Sequence, residues 1–98
     1  MAQKYAVKIT VYRKFDCDEL PDYSGGCHLL NVGDEFIVQK DGKMPEGFCT
    51  WAWNDLYSIF MTLRFGGEFT YCKEGNMMYG ACSDGLSPVV FRMQRIEE

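Results

Sequence analysis

Hydrophobic and polar residues alternate near the start of the chain and again at its end. Residues 4–13 place four apolar side chains on one side of an extended segment: Tyr5, Val7, Ile9 and Val11. Residues 88–96 repeat the pattern, with Val89, Phe91 and Met93 on one face. A period of two residues is typical of a strand that buries one face, so both segments are predicted strands.

Two further strands are predicted between these segments. One covers residues 30–39 and places Phe36 and Val38 on one face. The other covers residues 77–82, and the turn sequence Ser83-Asp84-Gly85 follows it. Both are bounded by residues that favour turns, as expected for short strands of a sheet.

A single helix is predicted over residues 50–65. Its apolar positions recur at helical spacing, followed by one charged residue: Trp53, Leu56, Tyr57, Phe60, Leu63 and then Arg64. Thr50 is the expected N-cap, Asp55 suits the early turns, and Gly66-Gly67 supplies a left-handed cap at the other end. The order β-β-α-β-β predicts an α+β domain over residues 1–98, with one helix on a mostly antiparallel four-stranded sheet.

The charge of the chain and the length of its apolar runs argue against two classes of function. The chain of 98 residues carries 10 Lys and Arg against 14 Asp and Glu, a net charge of −4, and its basic residues are scattered. A nucleic-acid partner is therefore not expected, because such proteins present a basic patch. No apolar run reaches the roughly 20 residues that span a bilayer, and no signal-peptide core follows the N-terminus. We therefore expect a cytoplasmic protein with no membrane contact.

The five cysteines are the main candidates for chemistry. Their number is odd and no two are spaced as C-x-x-C, so neither a complete disulfide framework nor the usual zinc motifs are present. Distant loops can still supply a zinc or iron site, and four cysteines are its candidate ligands: Cys17, Cys27, Cys49 and Cys82. The alternative is that the thiols pack as small hydrophobic side chains.

Cys49 is the best candidate for a reactive thiol. It precedes the predicted helix, where the backbone N–H groups and the helix dipole stabilise a thiolate. A nucleophilic cysteine needs a base, and His28 is the only histidine. Neighbouring side chains of an extended segment point to opposite sides, so Cys27 and His28 do not form a ready dyad. His28 can act on Cys49 only if the fold brings them together.

The two tryptophans indicate a ligand-binding surface at the start of the helix. Trp51 and Trp53 diverge by about 200° around a helix, so they cannot both face the core. Trp53 belongs to the apolar stripe, and Trp51 is expected to line a surface or a pocket. Glu46, within the segment that leads to the helix, and Asp84, in the turn after the third strand, complete the candidate ligand-binding set.

Several runs resemble a family of short prokaryotic proteins of unknown function, of about 90–100 residues. The most specific is Pro45-Glu46-Gly47-Phe48-Cys49 followed by Trp51-Ala52-Trp53, and Gly33-Asp34-Glu35-Phe36, Gly66-Gly67 and Cys82-Ser83-Asp84-Gly85 accompany it. The resemblance implies cysteines at positions 17, 27 and 49 and a Cys-Cys pair at 81–82, of which this chain keeps Cys82 beside Ala81. Ser87 stands where the resemblance implies an arginine. The resemblance implies no activity.

Three functions remain open at this point. The first is binding of a small ligand or a metal at a site formed by Cys49, Trp51 and the other cysteine-bearing loops. The second is a thiol-dependent enzyme that uses Cys49, with His28 as its base. The third is a protein-interaction module in which the cysteines are structural. Outer strands leave backbone groups unpaired, so a homo-oligomer is expected as well.

Overall fold

A computed structural model describes residues 3–22, 27–70 and 72–97 of the chain. It contains four strands and one helix within these ranges: β1 (Ala6–Lys14), β2 (Glu35–Val38), α1 (Thr50–Arg64), β3 (Met77–Ala81) and β4 (Val89–Ile96). The β-β-α-β-β order and the α+β class predicted from the sequence are confirmed. No helix of the described ranges is both long enough and apolar enough to cross a lipid bilayer.

The four strands form one antiparallel sheet in the order β2-β1-β4-β3. The two long strands lie in the middle, where Ile9 is paired with Met93 on one side and with Phe36 on the other. A bulge between Val11 and Arg13 shifts the register of β1 against β4. The short strands β2 and β3 form the two edges of the sheet.

Helix α1 covers one face of this sheet and closes the hydrophobic core. The helix buries Ala52, Leu56, Phe60 and Leu63. The central strands bury the alternating positions predicted from the sequence: Val7, Ile9, Val11, Val89, Phe91 and Met93. The predicted stripe is wrong at one of its borders. Tyr57 is 45% exposed, whereas Ala52, which was not predicted to face the core, is buried.

The ends of the helix differ from the prediction at one position. Cys49, not Thr50, is the N-cap, because its backbone is extended (φ −81°, ψ 125°) and Thr50 is already helical. The Cys49 side chain makes no capping hydrogen bond. At the other end Gly66 has φ 84°, the left-handed conformation expected of a glycine that ends a helix.

Strand β2 is shorter than predicted because a turn precedes it. The side chain of Asp34 accepts a hydrogen bond from the Asn31 backbone N–H at 2.9 Å, and Gly33 adopts φ 96°. This turn limits the strand to Glu35–Val38, and just before it the Gly33 N–H and the Asp34 carbonyl still bond to Val11 of β1. Leu30 is buried although it lies outside the strand.

Two contacts fasten the helix to the sheet. Gly80 of β3 lies so close to α1 that a Cβ atom there would come within 2.6 Å of Leu56 Cδ2 and 2.8 Å of Ile59 Cδ1. At the other end of the helix, the guanidinium of Arg95 donates hydrogen bonds to the carbonyl oxygens of Leu63 (3.3 Å) and Gly67 (2.8 Å).

Candidate functional site: a pocket lined by three thiols

The start of α1 is held against the turn that follows β3. The Asp55 carboxylate accepts a hydrogen bond from the Ser83 backbone N–H at 2.7 Å. The Trp51 indole N–H donates to Ser83 Oγ at 2.6 Å. Trp51 and Asp55 are four residues apart and so share one side of the helix. Together they bind the backbone and the side chain of the same residue.

A pocket of about 50 Å³ lies beside this junction, and we refer to it as the thiol pocket. Its walls come from the loop before β2, the start of α1, the segment between β3 and β4, and β4 itself: Cys27, Leu30, Cys49, Trp51, Ala52, Cys82, Asp84, Ser87, Val89 and Phe91. Most of these side chains are apolar or carry sulfur. The polar groups are the Asp84 carboxylate, the Ser87 hydroxyl and the Trp51 indole N–H.

Three segments that are distant in sequence supply the thiols. Cys27, Cys49 and Cys82 line the pocket, and each is a free, half-buried thiol. Cys82 is held at the end of β3, where its sulfur accepts the Val89 backbone N–H at 3.3 Å and its own N–H donates to the Val89 carbonyl at 3.1 Å. The Cys49 side chain has no capping role that would occupy it.

The two indoles divide as the sequence predicted. Trp51 is 51% exposed and lines the pocket. Trp53 is half-buried in an aromatic cluster, with ring centroids 5.2 Å from Phe60, 5.7 Å from Tyr57 and 6.4 Å from Phe48. Trp53 does not line the thiol pocket, so its predicted part in ligand binding has no support from its position.

Asp84 shapes the turn that forms one wall. Its Oδ1 atom accepts backbone N–H groups from Leu86 at 2.9 Å and from Ser87 at 3.3 Å. The turn brings the buried Ser87 into the pocket wall.

Four sequence-predicted residues lie elsewhere. Cys17 donates its backbone N–H to the Leu86 carbonyl at 2.9 Å, yet it does not line the pocket. His28 and Glu46 are exposed and also lie outside the pocket lining, as does Trp53. The structure therefore does not bring the proposed base into the pocket that Cys49 lines.

The structure gives the predicted metal site no support. Among residues 3–22, 27–70 and 72–97, which include all five cysteines, no three His, Cys, Asp or Glu side chains are arranged to hold a metal ion. Zinc–sulfur bonds of about 2.3 Å require sulfur atoms roughly 4 Å apart. Thiols that line one pocket need not lie that close together. The sequence does not distinguish thiols that could share a metal ion from thiols that only line the same pocket.

Sequence reasoning missed Ser83 and Asp55 as residues that shape the site. Asp55 carried a signal, because it lies four residues after Trp51 and so on the same side of the helix. Ser83 carried none beyond its place in a predicted turn. Leu30 was assigned to a strand and contributes instead from a loop.

No protein-family model, curated protein or solved structure matches this chain. The resemblance to a family of short prokaryotic proteins consequently stays a prediction.

Proposed function

We propose that this protein binds a compact, uncharged ligand in the thiol pocket. One observation supports this most directly: Cys27, Cys49 and Cys82, which are 22 or more residues apart in sequence, line the same small pocket. Packing alone does not require thiols from three segments to share one opening. The half-exposed Trp51 ring at the pocket offers a flat apolar surface of the kind often found at binding sites.

The pocket walls favour a particular class of ligand. Leu30, Ala52 and Phe91 supply apolar surface, and thiols are polarisable groups that make weak hydrogen bonds. Asp84 is the one ionisable oxygen group of the lining, and its Oδ1 atom already accepts two backbone N–H groups. A volume of about 50 Å³ suits a molecule of a few heavy atoms. These features favour a small apolar or sulfur-containing molecule over a charged one.

Xenon is a direct probe of such a pocket, because it enters small apolar cavities without any polar recognition. We expect xenon pressure to produce saturable shifts in the backbone amide signals of Ala52, Val89 and Phe91 in NMR spectra. The variant Cys49→Leu should abolish these shifts by filling the pocket. Its helix should remain intact, because the Cys49 side chain contributes no capping hydrogen bond.

The matched control is Cys72→Leu, which alters a half-buried thiol outside the pocket. This variant should keep the xenon response of the wild-type protein. Shifts that are absent from the wild type, or that persist unchanged in folded Cys49→Leu, would contradict binding in the thiol pocket.

A thiol-dependent enzyme is the second candidate, favoured by the presence of Cys49 and Asp84 in the lining of the same pocket. Here Cys49 would be the nucleophile, and Asp84 would replace His28 as the group that accepts a proton. The test is the rate of iodoacetamide alkylation across pH, mapped by mass spectrometry. An enzyme of this kind requires Cys49 to react faster than Cys17 and Cys72 at neutral pH, and equal rates would rule it out.

A further inference from the structure

Strand β3 forms one edge of the sheet, and its register shows which backbone groups point outward. Cys82 and Val89 are hydrogen-bonded partners through the Cys82 N–H and the Val89 carbonyl, and at the other end the Arg95 N–H donates to the Asn76 carbonyl. Hydrogen-bonded and non-hydrogen-bonded pairs alternate along an antiparallel pair of strands. The backbone N–H and C=O groups of the even-numbered residues of β3 therefore point towards β4. The N–H and C=O groups of Met77, Tyr79 and Ala81 therefore point away from the sheet.

These outward groups have no backbone partner among the residues that the structure describes. An unpaired edge invites another strand, and natural proteins usually protect it with charged residues, proline or a very short strand. Strand β3 has the sequence Met-Met-Tyr-Gly-Ala, which contains neither charge nor proline. The opposite edge, β2, is only four residues long and carries Glu35.

We propose that β3 pairs antiparallel with β3 of a second copy of this chain, on a two-fold axis at Tyr79. Tyr79 would then exchange two backbone hydrogen bonds with its own counterpart. Met77 would do the same with Ala81 of the other copy. The two four-stranded sheets would join into one continuous sheet.

The side chains on this edge suit a second copy. In the two-fold arrangement the large Met77 lies beside the small Ala81, and the two Tyr79 rings, each 39% exposed, lie next to each other. Each Tyr79 ring is already supported by Tyr12, whose ring centroid lies 5.2 Å away. The chain carries a net charge of −4, but none of that charge lies on β3, so two copies can meet there without placing like charges in contact.

Proline substitution gives a selective test, because the outward N–H of residue 79 takes no part in the protein's own sheet. Tyr79→Pro removes one donor for the partner strand and leaves the bonds between β3 and β4 in place. We expect the wild-type protein to sediment as a dimer at high concentration in analytical ultracentrifugation. We expect Tyr79→Pro to sediment as a monomer with an unchanged far-ultraviolet circular dichroism spectrum.

The matched control is Ile37→Pro, at an outward position of the other edge strand. This variant should remain dimeric. A second measurement covers the case in which Tyr79→Pro fails to fold: amide hydrogen exchange of the wild type should slow at Met77, Tyr79 and Ala81 as its concentration rises. A wild-type protein that stays monomeric throughout, or a dimer whose exchange at these three amides does not depend on concentration, would overturn the proposal.

Discussion

The indole N–H of Trp51 and the hydroxyl of Ser83 are joined by a hydrogen bond of 2.6 Å between the start of the helix and the turn after β3. Both residues are exposed, so the bond forms at the surface of the protein. It nevertheless fixes the plane of the indole against one side of the thiol pocket. The orientation of the Trp51 ring should therefore depend on a residue 32 positions away in sequence.

We predict that Ser83→Ala frees the Trp51 indole without unfolding the protein. The variant keeps the backbone N–H that Asp55 accepts, so the turn itself stays attached to the helix. An exposed hydrogen bond contributes only about 1 kcal/mol, so the free energy of unfolding should fall by no more than that amount. In NMR spectra the Trp51 indole N–H signal should shift, and its exchange with solvent should become faster.

Trp53 provides the internal control for this measurement. Its indole belongs to the aromatic cluster with Phe60 and Tyr57 rather than to the junction at Ser83. The Trp53 signal should stay unchanged in Ser83→Ala. If the Trp51 signal also stayed unchanged, the hydrogen bond would not be present in solution.

We predict that Gly80→Ala destabilises the protein. The new Cβ would come within 2.6 Å of Leu56 Cδ2 and 2.8 Å of Ile59 Cδ1, so β3 and α1 would have to separate or the side chains would have to leave their preferred rotamers. Overpacking of this kind lowers the free energy of unfolding by about 1–3 kcal/mol. Urea denaturation of the variant and the wild type measures the difference.

Two further variants separate a clash from a general effect of alanine. Gly85→Ala meets no atom within 4 Å and should change the stability by no more than about 0.5 kcal/mol. Ile59→Val removes the Cδ1 atom that the new Cβ at position 80 would contact, so the loss of stability in the double variant should be smaller than the sum of the losses in Ile59→Val and Gly80→Ala. A double variant whose loss equals that sum would show that Ile59 is not the obstacle.

We predict that Arg95→Met is destabilising although methionine fills a similar volume. Arg95 is only 5% exposed, and its Nε atom donates to Glu97 at 2.8 Å in addition to the two carbonyl oxygens at the end of the helix. Loss of the guanidinium leaves the Gly67 carbonyl without this donor. Hydrogen bonds from a charged group contribute about 1.5–3 kcal/mol, and we expect a loss in that range.

The matched control is Arg13→Met, at an exposed position where the guanidinium stacks over Phe15 at 5.1 Å. Its free energy of unfolding should change by less than about 1 kcal/mol. Thermal unfolding followed by circular dichroism compares the two variants. Equal losses in both would mean that the burial of Arg95 contributes nothing specific.

Most of the fold could be predicted because its long elements carry strong local patterns. The alternation in β1 and β4 identified both central strands, and Gly66 marked the end of the helix. The phase of the helix was harder, since Trp53 and Tyr57 are as apolar as the residues that the sheet buries. Only tertiary packing selects Ala52, which is buried and lines the pocket together with Val89 and Phe91 of β4.

The candidate site could be predicted only where its residues carry local signals. Trp51 and Cys49 carry local signals, an off-stripe indole and a position at the start of a helix. The presence of Cys27 and Cys82 in the same pocket depends on the strand order β2-β1-β4-β3, which no local pattern encodes. Cys17 could not be placed from the sequence. Its backbone N–H bonds to Leu86, which is next to the pocket residue Ser87, yet Cys17 itself does not line the pocket.

The tight approach at Gly80 also constrains how this sequence can diverge. Since a Cβ atom there would crowd Leu56 Cδ2 and Ile59 Cδ1, a descendant that acquires a larger residue at position 80 should also change or repack the side chain at position 56 or 59. These three positions should therefore evolve as a linked group. A collection of diverged sequences that varied freely at position 80 beside unchanged leucine and isoleucine would require a different spacing between the two elements.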